Sequence, residues 1–220
     1  MHTVAIVDDD PENVEALKFC LETAGSKIIA FTDNFQNMNS LLEEIMRRAN
    51  GVLCDNRLNY RTTANFTGAE AVANWFDLKF PAILVSEFTD QDINTTIRSF
   101  RRKIPFVIPQ DHIDIQKIIT GFAICKQEIA NQPPPFRKPI RAIVQVVKFT
   151  NNSVETYVPQ WNPHRVVTFP RSLLGKYKNK DLTRGTLFIA DVNIGANNSD
   201  ELFFENFELA PEPDDADGLA

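Results

Sequence analysis

Apolar runs and amphipathic stretches alternate along the first part of the chain. Short runs rich in Val, Ile, Leu and Ala, such as Val4–Val7, are typical of strands buried on both faces of a parallel sheet. Each run is followed by a stretch with apolar residues at helical spacing, as in residues 38–49. Five such strand–helix pairs with short links predict a doubly wound α/β domain with a five-stranded parallel sheet. The predicted strands are Val4–Val7, Lys27–Phe31, Val52–Cys54, Pro81–Val85 and Phe106–Ile108.

Capping residues support the predicted helices. Asp10 can cap the first helix, Pro11 suits its first turn, and Gly25 fits its end. Thr67 and Glu70 have the spacing of a capping box, which predicts the start of the third helix. The predicted helices cover residues 11–25, 38–49, 67–79, 89–102 and 113–129.

The sequence changes character after residue 131. Because three consecutive prolines cannot continue a helix, residues 132–139 are predicted to form a semi-rigid extended linker. Short segments rich in Val, Ile, Phe and Thr follow, and they predict a small all-β barrel or sandwich over residues 140–209. Residues 210–220 are acidic and nearly devoid of large apolar side chains, which predicts a disordered tail. The predicted strands of this part are Ile140–Phe149, Val154–Val158, Val166–Phe169, Thr186–Val192 and Leu202–Phe207.

Two strands of the predicted parallel sheet end in carboxylates. The first runs into Asp8, Asp9 and Asp10, and the third ends at Asp55. Because open α/β sheets bind their ligands outside the carboxyl ends of the strands, we expect these side chains to meet at one edge. Asp10 is predicted to be a helix cap. The other three carboxylates have the chemistry of a hard-cation site.

These residues carry a resemblance to a known family. Residues 6–11, with their acidic turn, and Leu53–Asp55 resemble the first turn and the phosphoacceptor strand of the receiver domains of two-component response regulators. Ser86 matches the family's hydroxyl position at the end of the fourth strand, and Pro109 follows the fifth strand where a proline is usual. The resemblance covers residues 1–131 and implies the flavodoxin-like, doubly wound fold. It does not extend to the C-terminal part.

The resemblance implies phosphoryl transfer at the acidic edge. Asp55 would accept the phosphoryl group as a mixed anhydride. Asp8 and Asp9 would bind Mg²⁺ together with Asp55 and the main-chain carbonyl of Arg57. Ser86 would donate a hydrogen bond to a phosphoryl oxygen. A histidine kinase or a phosphotransfer protein is implied as the partner, and a relic acidic cluster is the alternative.

One position departs from the family pattern. The family has a Lys immediately before the proline that follows the fifth strand, where this chain has Ile108. That Lys supplies a fixed positive charge to the phosphoryl group, which an Ile cannot do. Lys103 precedes the strand and is badly placed to replace it. Arg57, two residues after Asp55, could reach inward instead.

Composition narrows the class of protein. The chain is 43% hydrophobic and 24% charged, and it has no apolar run near the roughly 18 residues of a membrane span. Its N-terminal residues lack a basic region and a cleavage site, so no targeting segment is expected. Cys20, Cys54 and Cys125 are odd in number and lie in apolar runs, which favours buried, reduced thiols. The prediction is a cytoplasmic protein that does not contact a membrane.

Charge is unevenly distributed in the C-terminal part. Residues 137–184 carry ten cations against two acids, although the whole chain has a net charge of -6. With aromatic residues between them, these cations could bind single-stranded nucleic acid. Pairing with the protein's own acidic tail or with an acidic protein partner is favoured, because the whole chain is acidic. The loop with Trp161, His164 and Arg165 is the predicted contact for a protein partner.

Two functions of different classes follow. In the first, phosphorylation of Asp55 controls a β-rich output domain that binds a partner. In the second, Ile108 marks a pseudo-receiver that stays in one state and assembles partner proteins; a nucleic-acid-binding effector is a less favoured third. No nucleophile–base pair, metal cluster or helix-turn-helix is found in the C-terminal sequence. We therefore expect neither an enzyme nor an ordinary DNA-binding regulator.

Overall fold

Two five-stranded sheets organise the chain, one in Met1–Arg137 and one in Lys138–Ala220. The computed structural model describes residues 3–33, 35, 37–58, 64–87, 92–180 and 182–211. Within these ranges, no helix has both the length and the apolar character needed to cross a bilayer. The predicted acidic tail lies outside the described residues from Glu212 onward.

The first sheet is parallel, with the strand order β2-β1-β3-β4-β5. This is the flavodoxin-like order, and it confirms the predicted doubly wound sheet. Apolar side chains cover both faces, since β1 places Ala5 and Val7 in one core cluster and Val4 and Ile6 in the other. The strands are β1 Thr3–Val7, β2 Lys27–Phe31, β3 Val52–Asp55, β4 Ala82–Ser86 and β5 Val107–Pro109.

The helices of the first unit begin where the capping residues predict. The side chain of Asp10 accepts a hydrogen bond from the main-chain N–H of Glu12 at 3.0 Å, and that of Thr67 accepts one from Glu70 at 3.2 Å. Gly25 follows the first helix in the left-handed region at φ 71°. The regular helices are α1 Pro11–Thr23, α2 Met38–Arg48, α3 Gly68–Asp77 and α5 Ile115–Ile129. The label α4 is kept for a short helix, Arg98–Phe100, between α3 and α5.

The fourth predicted helix is irregular, and its first residues, 89–91, lie outside the described residues. We name residues 92–103 the irregular helix. The hydroxyls of Thr96 and Ser99 donate to main-chain carbonyls one turn earlier, at 3.3 and 2.8 Å. Such bonds compete with the regular helical ladder and favour a distorted helix. It consists of a π-helical turn Ile93–Ile97, the short helix α4 Arg98–Phe100 and a 3-10 turn Arg101–Lys103.

The second sheet is antiparallel, with the order β10-β9-β6-β7-β8. It is one curled sheet rather than the two stacked sheets of a sandwich. No ladder between described residues joins β8 to β10, but the ring of Phe169 on β8 lies 4.8 Å from Phe204 and 5.4 Å from Phe207 on β10. The two edge strands therefore meet through their aromatic side chains. The strands are β6 Ile140–Phe149, β7 Ser153–Val158, β8 Asn162–Pro170, β9 Leu187–Val192 and β10 Phe204–Leu209.

The structure differs from the sequence expectation at the predicted linker. Pro135–Arg137 forms a 3-10 helix instead of an extended spacer, and the first unit extends through Arg137. The physical reason is the buried guanidinium of Arg137, which donates to the carboxylate of Glu128 at 2.5 Å and to two main-chain carbonyls. These bonds hold residues 135–137 against the first unit.

Candidate functional site

The three predicted acids meet at the carboxyl edge of the first sheet. β1 and β3 are neighbours, and Val7 at the end of β1 is paired with Cys54. Asp8 therefore lies beside Asp55, and one carboxylate oxygen of each of Asp8, Asp9 and Asp55 lies within 4.8 Å of the others. Asp8 is 2% and Asp55 9% exposed. We name these three carboxylates the acid edge.

Burial and mutual repulsion make the acid edge electrostatically strained. Burial, followed by the charge of Asp8, raises the pKa of Asp55 to about 7, and burial raises the pKa of Asp8 to about 6. Two main-chain donors offset part of this effect, the N–H of Arg57 to Asp55 at 2.6 Å and the N–H of Asp10 to Asp8 at 2.8 Å. Three carboxylates that lie this close together and repel one another offer the hard oxygen ligands that suit a divalent cation such as Mg²⁺. Binding of that ion stays a prediction.

The main chain of Asp55 is held in place by the start of α3. The side-chain oxygen of Asn56, the residue after Asp55, accepts a hydrogen bond from the N–H of Ala69 at 3.2 Å. The main-chain carbonyl of Asn56 accepts one from the N–H of Gly68 at 3.0 Å. A Cβ atom on Gly68 would lie 1.8 Å from the carbonyl oxygen of Asp55, so only glycine allows this approach. Sequence reasoning missed this role, although a glycine directly after a helix cap was a visible signal.

The acid edge opens into a polar cleft of about 310 Å³. Sequence reasoning missed Asn13, Glu87 and Gln110, which line this cleft with the acids and Arg57. The side-chain amide of Gln110 donates to the amide oxygen of Asn13 at 2.5 Å, which joins the loop after β5 to α1. No simple pattern links these residues, because each comes from a different strand end or helix.

Arg57 is the only cation among the eight described residues that line the cleft. Its guanidinium is turned to the cleft rim, with Nη1 2.6 Å from Glu87 and Nη2 3.0 Å from Asp92. Nε lies 3.1 Å from the same oxygen of Asp92. The side chain therefore does not contact the acid edge here. Metal coordination by the main-chain carbonyl of Arg57 stays a prediction.

Ser86 and Ile108 occupy the ends of the two strands beside the site. Ser86 is buried at the end of β4, opposite Pro109, and does not line the cleft formed by the described residues. Its hydrogen bond to a phosphoryl group stays a prediction. Ile108 is 1% exposed and belongs to the apolar core beneath the sheet. No cation therefore projects from that position.

The predicted contact loop of the second unit is not a loop throughout, because the ladder with β7 starts strand β8 at Asn162 and places His164 and Arg165 on that strand. Trp161 is half-buried, and its indole N–H donates to the carbonyl of Ala196 at 2.8 Å. The guanidinium of Arg165 lies over the Trp161 ring at 5.9 Å, and His164 and Arg165 are exposed. Partner binding by these three residues stays a prediction.

The basic stretch of residues 137–184 is partly neutralised within the described chain. Arg141 pairs with Asp191 and Glu208, and Lys148 lies 3.4 Å from Glu155. Arg137 is buried in the first unit and cannot belong to a surface stripe. The cationic surface is therefore weaker than the sequence suggests.

No protein-family model and no curated protein matches this chain. Solved structures that resemble it include the N-terminal domain of a response regulator/sensory box/GGDEF three-domain protein from Carboxydothermus hydrogenoformans, at 14% identity over 59% of this chain and 97% of that one, with a TM-score of 0.44. A receiver domain from Clostridium thermocellum aligns at 12% identity over 60% and 98%, with a TM-score of 0.43. The response regulator TrrA from Thermotoga maritima, solved with Mg²⁺-BeF, aligns at 18% identity over 49% and 85%, with a TM-score of 0.38.

Proposed function

We propose that the first unit is a receiver domain in which Asp55 accepts a phosphoryl group and thereby controls the second unit, which binds a partner. The acid edge is the observation that carries this proposal. Two buried carboxylates beside a third destabilise a fold unless protons or a cation neutralise them. Residues in this state at the carboxyl end of an α/β sheet are typical of a functional site.

Asp55 is the nucleophile in this proposal. A carboxylate oxygen forms a bond to the phosphorus of the donor, and the bond between phosphorus and the donor's leaving group breaks. Asp8, Asp9, Asp55 and the main-chain carbonyl of Arg57 would hold Mg²⁺, which supplies charge neutralisation for the transferred group. Asn56 and Gly68 fix the main chain of Asp55, so its carboxylate keeps one orientation toward the donor. Ser86 would then bind a phosphoryl oxygen.

A histidine kinase or a phosphotransfer protein would donate the phosphoryl group in the cytoplasm. The output would be a change in how the second unit binds its partner, with the exposed His164 and Arg165 beside Trp161 as the proposed contact. Arg and Trp are enriched among residues that contribute most to interface affinity.

Intact-mass spectrometry tests this function directly. We expect the protein incubated with Mg²⁺ and acetyl phosphate to gain the mass of one phosphoryl group, and the Asp55→Asn variant to gain none. Asp77→Asn is the matched control, since Asp77 is an exposed carboxylate on α3 that does not line the cleft. Absence of an adduct in the unmodified protein, together with absence of Mg²⁺ binding, would contradict the proposal.

A pseudo-receiver that assembles proteins in one fixed state is the second candidate. Ile108 favours it, because a core residue stands where a phosphoryl-binding cation is expected. In that case the partner would bind the protein and its Asp55→Asn variant equally, with or without acetyl phosphate.

A further inference from the structure

The site proposed for Asp55 has no cation at the position of Ile108, but it has one at the rim of the same cleft. We infer that Arg57 takes over the neutralising role by exchanging Glu87 and Asp92 for the phosphoryl group on Asp55, and that this exchange releases the start of the irregular helix. The inference rests on the proposed function of Asp55 as a phosphoacceptor.

The main chain of Arg57 is already fixed at the acceptor. Its N–H donates to Oδ2 of Asp55 at 2.6 Å, while its side chain lines the cleft that contains the acid edge. The guanidinium therefore needs only side-chain rotations, not a main-chain movement, to turn from the rim toward Asp55. Its planar fork of donors also matches the geometry of phosphoryl oxygens better than an ammonium group does.

The bonds that hold the guanidinium at the rim are weak enough to be exchanged. The side chain of Arg57 is 39% exposed, that of Glu87 54% and that of Asp92 21%. The pair with Glu87 is exposed enough to contribute little to stability, and Asp92, which accepts from both Nε and Nη2, is the stronger partner that the phosphoryl group must replace. A phosphoryl group instead adds a charge of about −1.5 to −2 and three acceptor oxygens inside the cleft. The competition therefore favours the phosphorylated acceptor.

Asp92 connects this exchange to the irregular helix. Asp92 directly precedes the π-helical turn Ile93–Ile97, a geometry with poor hydrogen bonds that is often found at functional sites. At the other end of this helix, the carbonyls of Arg101 and Arg102 accept hydrogen bonds from Arg137 at 3.3 and 2.9 Å. Arg137 is the last residue of the first unit, so the irregular helix runs from the acceptor cleft to the end of that unit.

The experiment combines phosphorylation with amide hydrogen exchange. The protein and its Arg57→Ala, Arg57→Lys and Asp92→Asn variants are incubated with Mg²⁺ and acetyl phosphate, and the adduct and the exchange rates of residues 92–103 are followed by mass spectrometry. The matched control is Lys103→Ala, which removes an exposed ion pair at the far end of the same helix, where Nζ of Lys103 lies 2.6 Å from Asp77.

In the protein without substitutions, we expect phosphorylation to increase the rate of amide exchange at the start of the irregular helix several-fold. Asp92→Asn should show the faster exchange before phosphorylation. Arg57→Ala should gain the adduct about tenfold more slowly, because the charge on the phosphoryl group is left unmatched, and Arg57→Lys should recover part of the rate. Lys103→Ala should gain the adduct at the same rate as the protein without substitutions. Its residues 92–97 should still exchange faster after phosphorylation.

Two outcomes would overturn the inference, and they differ. If the protein is phosphorylated but Arg57→Ala has the same rate and the same exchange response, Arg57 has no such role and the proposed function stands. If the protein without substitutions gains no adduct and does not bind Mg²⁺, the proposed function fails and the inference fails with it.

Discussion

Two clusters of buried charge lie in the first unit, and they are built in opposite ways. The acid edge of Asp8, Asp9 and Asp55 collects like charges. The second cluster, which we name the boundary cluster, consists of Glu128, Arg102 and Arg137. Glu128 is almost fully buried, and it accepts from Arg137 at 2.5 Å and from Arg102 at 3.1 Å.

The difference shows which buried charges serve the fold and which serve a site. In the boundary cluster the buried pair of Glu128 and Arg137 balances its charge within the chain, and the partly exposed Arg102 adds a second contact to Glu128. At the acid edge, burial and neighbouring like charges raise the pKa values of Asp8 and Asp55 toward neutral pH. This cluster is therefore stabilised only when it binds protons or a cation. A buried cluster that the chain leaves unbalanced is therefore the better guide to function.

The largest expected effect comes from unbalancing the boundary cluster. Arg137→Ala leaves Glu128 buried without its main partner, so we expect a loss of about 3–5 kcal/mol in the free energy of unfolding. Urea unfolding followed by the fluorescence of buried Trp75, in a Trp161→Phe background, reports on the first unit. Adding Glu128→Gln should restore part of the loss. A loss below about 1 kcal/mol, the level of a surface pair, would show that the cluster is not a structural clamp.

Removing one charge from the acid edge is expected to raise the free energy of unfolding, by less than Arg137→Ala lowers it. The folded-state pKa of Asp55 is raised from 3.8 to about 7, so the stability linked to its protonation is present below pH 3.8 and lost as pH rises through about 7. Asn cannot ionise. Asp55→Asn should therefore be more stable than the protein without substitutions by about 2–4 kcal/mol at pH 8 without metal, and the gap should shrink toward pH 4.

The measurement is urea unfolding of both proteins between pH 4 and 8 in the presence of a chelator. Asp77→Asn, which changes an exposed carboxylate, should show no such pH-dependent gap. A stability difference between Asp55→Asn and the unmodified protein that stays constant with pH would mean that Asp55 is not strained in the fold.

Local pattern was sufficient to predict the sheet and the edge at which the acids lie. Buried strands are continuous apolar runs, and a parallel sheet places their carboxyl ends at one edge. That Asp8 lies beside Asp55 depends in addition on β1 and β3 being neighbours, which the sequence pattern did not predict. The capping residues Asp10 and Thr67, by contrast, act within three residues of their own positions.

The features that sequence reasoning missed depend on distant partners. Arg57 pairs with residues 30 and 35 positions away, and neither pairing has a periodic pattern. The burial of Arg137 depends on Glu128 and on two carbonyls of the irregular helix, which a run of prolines does not reveal.

The smallest expected effect separates the two arginines of the boundary cluster. The side chain of Arg102 is 32% exposed, whereas that of Arg137 is 1% exposed, although both bind Glu128. Water can replace Arg102, so Arg102→Ala should lower the free energy of unfolding by about 1 kcal/mol or less. Urea unfolding in the same Trp161→Phe background provides the measurement, and added salt should weaken this contribution more than that of Arg137. Equal losses for Arg102→Ala and Arg137→Ala would mean that burial does not decide the strength of these pairs.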